Sequence, residues 1–184
     1  MLWGNLALKF NIKGGGVNHA ISAAQLKPFD NKTIIFGIDV THPSPTSTEA
    51  APSIAAVVAN KDEYLCQWPA SIRSQERRKE IVTQLKEMVR ERFDLWRRCN
   101  ANALPNKVIV FRDGVSEGQY DQVLEHEVSA FTVAFEEIYG AKAKHPKLSV
   151  FIVGKRRTSS FGYKLFAAHV ATTWMCLRPT AYPL

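Results

Sequence analysis

Two short apolar runs, each ending in an aspartate, constrain this chain more than any other feature. Thr33 to Ile38 is β-branched and aromatic with almost no polar content, the composition of a strand buried on both faces. Asp39 arrives at its end. Lys107 to Phe111 repeats the arrangement and delivers Asp113 into the glycine-bearing turn RDGVSEGQ. An ionisable group leaving a central strand is costly to bury unpaired, so each aspartate either bonds the backbone of its own turn or meets a cation. If the two strands lie side by side and parallel, both carboxylates project from the carboxyl edge of one sheet, where open α/β sheets place their ligands. Carboxylates at close range repel, and a divalent ion between them relieves the repulsion. Oxygen-only donors point to Mg2+ or Mn2+ rather than zinc.

The rest of the chain supplies the frame. Asn5 to Ile12 alternates Leu6, Leu8, Phe10 and Ile12 against Ala7, Lys9, Asn11 and Lys13, which predicts a half-buried strand or short extended segment ended by Gly14 to Gly16. Ile34 to Val40, Ser53 to Asn60 and a run around Tyr64 to Ile72 predict an antiparallel meander, with Ser44 to Ala51 as an exposed loop. Gln75 to Arg98 carries Ile81, Leu85, Met88, Val89, Phe93 and Trp96 at helical spacing, with Ser74 as its N-cap and Arg97 and Arg98 at its C-terminal end. Such a helical crossover is the usual way to bring two strands parallel. After Asp113 a second helix is expected from about Glu117 to Tyr139, with Leu124, Val128, Phe131, Phe135 and Ile138 on one face and Gly140 closing it. A last strand, Leu148 to Val153, leads into Lys155, Arg156 and Arg157.

Composition narrows the function classes. At 184 residues, 46% hydrophobic and 22% charged, the chain suits one folded domain with one core. That composition sets disorder aside, and a membrane reading is set aside because no run approaches the length of a membrane span. Lys and Arg outnumber Asp and Glu by 24 to 17, a net charge of +7 that makes a polyanionic partner plausible. The three cysteines are widely spaced without metal-ligand pattern, and Met1 to Phe10 lacks the layout of a secretory signal. A cytoplasmic or nuclear protein with reduced thiols is the expectation.

Three stretches carry a resemblance. GIDVTHP at Gly37 to Pro43, PSIAAVVAN at Pro52 to Asn60 and FRDGVSEGQY at Phe111 to Tyr120 closely resemble the PIWI domain of eukaryotic Argonaute proteins. NLALKFNIKGGGVN at Asn5 to Asn18 and FIVGKRR at Phe151 to Arg157 resemble flanking parts of that family, and the likeness runs in order to about Arg157. The resemblance implies an α/β fold, a ribonuclease H-like mixed sheet flanked by helices, present here as an incomplete PIWI domain. It divides the chain into the end of a MID-like segment and linker (1–28), the N-terminal part of the PIWI domain (29–157) and a divergent tail (158–184).

The same resemblance implies a site. Asp39 and Asp113 match the family's metal-binding aspartates, and Glu80 aligns with its third acid, although alone Glu80 reads as a helix-surface residue beside Arg77 and Lys79. The implied reaction is hydrolysis of a target RNA by two Mg2+ or Mn2+ ions, directed by a small guide RNA and assisted by silencing-complex proteins. Lys9 and Lys13 match the pocket for the guide's 5′ phosphate, and Lys155 and Arg156 a contact to the guide backbone. Read without the family, the first pair are solvated surface lysines and the second a solvated strand end. Past Arg157 the likeness fails: in RPTAY at Arg178 to Tyr182, Ala181 and the following Pro183 stand where the family has histidines, and His169, imaginable as a fourth ligand, reads better as a histidine with no metal role. Impaired cleavage and uncovered apolar surface are therefore expected, with a non-catalytic guide-RNA binding module acting through silencing partners as the alternative.

Overall fold

Backbone hydrogen bonding between the two apolar runs organises the molecule. β1 (Thr33–Thr41) and β4 (Lys107–Asp113) pair in parallel from Thr33 beside Lys107 to Ile38 beside Arg112. β2 (Ser53–Ala59) and β3 (Ala70–Gln75) extend the sheet antiparallel on the side of β1, as the meander predicts. On the other side β5 (Lys147–Lys155) runs parallel to β4, followed by antiparallel β6 (Tyr163–His169) and β7 (Met175–Leu177). The order is β3-β2-β1-β4-β5-β6-β7. These facts come from a computed structural model that describes residues 2–20, 22, 24–26, 29–63, 65–155, 163–169 and 175–177.

Among the described residues, helices cover one face of the sheet and leave the other open. α2 (Leu85–Cys99) and α4 (Ser129–Tyr139) pack on the covered face, burying Leu85, Met88, Val89, Phe93 and Trp96 from α2 and Phe131, Ala134 and Phe135 from α4. Phe36 stands between them, its ring 6.0 Å from Phe93 and 5.3 Å from Phe131. Strand alternation sends Gly37, Asp39, Phe111 and Asp113 to the opposite face. On that face Ile72 is 59% and Ile54 and Phe111 each 39% exposed.

Several predicted elements differ from the observed ones. Asn5 to Ile12 lies in a helix, α1 (Leu2–Lys13), with no buried residue, rather than in a strand. A strand needs a sheet edge to satisfy its N–H and C=O groups, whereas a helix satisfies its own. The third strand begins at Ala70, not near Tyr64, and Tyr64 itself lies outside the described residues. α2 begins ten residues later than predicted, and Ser74 belongs to β3 rather than to an N-cap. Tertiary bonds take the backbone groups that an earlier helix would use. Gln75 Nε2 donates to the carbonyls of Lys79 and Ile81, the Arg78 N–H goes to Ser53 Oγ at 2.9 Å, and Arg78 takes the left-handed φ of 62°.

The second predicted helix is continuous but not uniform. It runs from a 3-10 turn at Glu117–Gln119 through α3 (Tyr120–Gln122) and a π-helical stretch at Val123–Val128 into α4, and Gly140 at φ 94° ends it. The wider π turn shifts the inward face by one residue, so Val123 and Glu127 are buried where Leu124 and Val128 were expected to be.

Candidate active site

The carboxyl edge of β1 and β4 collects the site. Because Ile38 pairs with Arg112 in a parallel register, Asp39 and Asp113 follow side by side on the open face, both exposed. Each steadies one oxygen on its own turn: Asp39 Oδ1 accepts the Val40 N–H at 2.9 Å and Asp113 Oδ1 the Gly114 N–H at 2.8 Å. The turn-bonding role and the shared-rim role thus coexist. Gly114, at φ 85°, lets the chain reverse where a Cβ would stand 3.3 Å from Asp39 Oδ1.

Glu80 is tied by its backbone to the end of β4 from the covered side. It sits in the loop between β3 and α2, not on the surface of a helix. Its Oε1 lies 2.6 Å from His42 Nε2, and His42 Nδ1 lies 2.7 Å from Ser53 Oγ. A carboxylate only accepts, so Nε2 carries the proton and the buried Ser53 hydroxyl faces Nδ1. Behind this chain, Arg112 is fully buried and pairs with Glu127, while its Nη2 donates to the Glu80 carbonyl at 2.6 Å and its Nη1 to the Asp113 carbonyl.

Sequence reasoning missed His42, Arg112 and Glu127. A signal existed for the last: Glu127 falls four residues from both Val123 and Phe131, and a charge on an apolar stripe implies a buried partner. Arg112 offered only the alternation of KVIVFRD.

The metal fit rests on donor chemistry. Among the described residues no group of three or more His, Cys, Asp or Glu is gathered to hold an ion, and the Glu80 carboxylate is engaged by His42. The two aspartates suit Mg2+, which is often held by one or two carboxylates and completes its shell with water and substrate phosphate. Next to the Glu80 loop a cavity of about 610 Å3 is lined by Arg78, Lys79, Gln119, Gln122 and His126 together with Glu80, Ile81 and Val82.

The remaining predicted residues are dispersed. Lys9 and Lys13 are both exposed on α1 and, four residues apart, share one helix face. Lys155 ends β5 two residues past Val153, the register partner of Asp113, so its backbone stands at the same rim. Arg156, Arg157, Ala181 and Pro183 lie outside the described residues, and His169 ends β6. No helix of the described residues is long and apolar enough to cross a membrane.

Comparison with known proteins supports the fold and shows the family. Protein argonaute 18 of Oryza sativa subsp. japonica is 39% identical over 156 residues, covering 83% of this chain and 14% of the relative. Protein argonaute 5 of Arabidopsis thaliana is 37% identical over 175 residues, covering 83% and 17%. This chain therefore spans less than a fifth of their length. Among solved structures, the MID-PIWI domains of N. crassa QDE-2 AGO superpose with a TM-score of 0.69 at 34% identity, over 82% of this chain and 43% of that one. Kluyveromyces polysporus Argonaute with a guide RNA gives 0.74 at 25% identity, over 94% and 19%. The Piwi domain family model matches residues 1–172. With the mixed sheet, the family model and these relatives in agreement, the chain belongs to the Piwi domain family of Argonaute proteins and carries its ribonuclease H-like fold.

Proposed function

We propose that this chain contributes to guide-directed RNA binding and to hydrolysis of the paired target RNA in an Argonaute-type silencing assembly. The observation carrying this reading is the parallel register that sets Asp39 beside Asp113 at one sheet edge. Asp39 and Asp113 would hold Mg2+ or Mn2+, with Glu80 as the third acid of the site. The ion supplies a positive centre that offsets charge developing on the phosphodiester. The backbone bonds to Val40 and Gly114 aim one oxygen of each aspartate and leave the other for binding. Arg78, Lys79 and the amides of Gln119 and Gln122 present donors to backbone phosphates along the neighbouring cavity. Lys9 and Lys13 would grip the 5′ phosphate of the guide, and Lys155 and Arg156 its backbone. Base pairing, not side chains, would read the target sequence. A cytoplasmic or nuclear setting and silencing-complex partners belong to the same proposal.

A second reading, a non-catalytic guide-RNA binding module, is favoured by one observation: the Glu80 carboxylate is bound to His42 rather than gathered with the aspartates. One experiment separates the two. The chain and its Asp39→Ala and Asp113→Ala variants are incubated with a 5′-phosphorylated guide RNA of about 20 nucleotides and its labelled complement, in Mg2+ or EDTA. Slow scission by the unaltered chain alone, and only with the ion, supports hydrolysis. Equal RNA binding by all three chains without scission supports the second reading. Failure to bind RNA overturns both.

A further inference from the structure

Arg112 is 0% exposed and Glu127 3% exposed, so both charges are withdrawn from water. Burying two ions costs so much that such a pair is weak evidence for stability, and an apolar pair of similar volume often holds a fold as well. The bonds around the pair point to another role. Arg112 Nε donates to both Glu127 oxygens at 3.1 and 2.9 Å, Nη1 to the Asp113 carbonyl and Nη2 to the Glu80 carbonyl at 2.6 Å. Glu127 Oε1 also accepts the Val82 N–H at 3.1 Å. One ion pair therefore grips the Glu80 loop at two backbone points, two residues apart, and ties it to the end of β4.

Two further features match this placement. Glu127 lies in the π-helical stretch Val123–Val128, whose wider turn carries it to the covered face. The gripped loop contains Arg78 in the left-handed region, a conformation that surrounding bonds must maintain.

We propose that Arg112 and Glu127 are positioning residues that set the loop bearing Glu80 against the Asp113 rim. The inference rests on the proposed roles of Glu80 and Asp113, and it assigns the pair no contact with substrate. Apolar replacements can fill the space but cannot hold a carbonyl or an N–H, and that difference makes the role testable.

The unaltered 184-residue chain is compared with Glu127→Gln, Arg112→Lys and the double variant Arg112→Met/Glu127→Leu. The readouts are thermal midpoint, amide exchange of residues 76–84 against a β1 reference, and Mn2+ titration. In Glu127→Gln the midpoint falls and the loop exchanges faster. In the double variant the midpoint returns toward the unaltered value, while exchange of 76–84 stays about tenfold faster, the ratio one hydrogen bond to a charged donor is worth. Mn2+ binding weakens by a similar factor. Full recovery of loop protection in the double variant overturns the proposal. Should the double variant not fold, Arg112→Lys decides, because lysine keeps the charge without the planar fork. Faster loop exchange in it supports the proposal, and unchanged exchange overturns it. Mn2+ that binds none of the chains overturns the metal reading instead, and the exchange result alone then stands for or against the pair.

Discussion

Asp39→Asn should change stability in opposite senses with and without a divalent ion. Neighbouring strands lie about 4.8 Å apart, so unit charges on adjacent rim residues about 5 to 6 Å apart repel by roughly 0.7 kcal/mol in water and by about 3 kcal/mol at an effective permittivity of 20. Both aspartates are exposed, which places the cost near the lower figure, about 1 kcal/mol. Asn keeps the Oδ1 acceptor that meets the Val40 N–H at 2.9 Å, so the turn is preserved. In EDTA the variant is expected to be more stable by about 1 kcal/mol, a rise of about 2 to 4 °C in thermal midpoint for a chain of this size. With Mg2+ or Mn2+ at tenfold over its dissociation constant, the unaltered chain gains about 1.4 kcal/mol and the variant much less, reversing the order. Thermal and urea denaturation in the two buffers measure both signs. A variant less stable in EDTA, or equal stabilisation of both chains by the ion, would refute the shared-rim reasoning.

Further expectations follow from the core, the turn and two ion pairs. Phe36→Ala, at a fully buried position between Phe93 and Phe131, should cost about 3 to 5 kcal/mol in urea unfolding; a loss below about 1 kcal/mol would contradict the packing. Gly114→Ala places a Cβ at φ 85° and 3.3 Å from Asp39 Oδ1, so it should cost about 1 to 2 kcal/mol and weaken Mn2+ binding together, and a neutral outcome would deny the close approach. The hydrogen bond and charge of Lys107 hold the Asp30 carboxyl below its ordinary value of 3.8, and the Ser71 hydroxyl, helped by Arg73, does the same for Glu91 below 4.5. Because both folded-state values are depressed, their stabilisation is present above those ordinary values and is lost as pH falls through the lowered ones. The urea midpoint should therefore drop on acidification below about pH 4.5, with a shallower drop in Asp30→Asn.

Where residues supply their own local reason for a conformation, the sequence alone was sufficient. The β-branched runs of β1 and β4 named their strands, the crossover made them parallel, and the placing of Asp39 and Asp113 together followed from that register. The apolar stripe of α2 likewise named its buried side chains. Where backbone groups bond distant partners, only the tertiary structure decided. The loop 76–84 reads as helix until Ser53, Gln75 and Glu127 claim its N–H and C=O groups, and that capture carries Glu80 to His42 instead of to the aspartates. Asn5 to Ile12 alternates like a strand but pairs with no strand of the sheet, and it closes its hydrogen bonds as a helix. Burial of Arg112 was equally illegible, since an arginine beside an exposed aspartate shows its depth only once the π turn brings Glu127 to meet it.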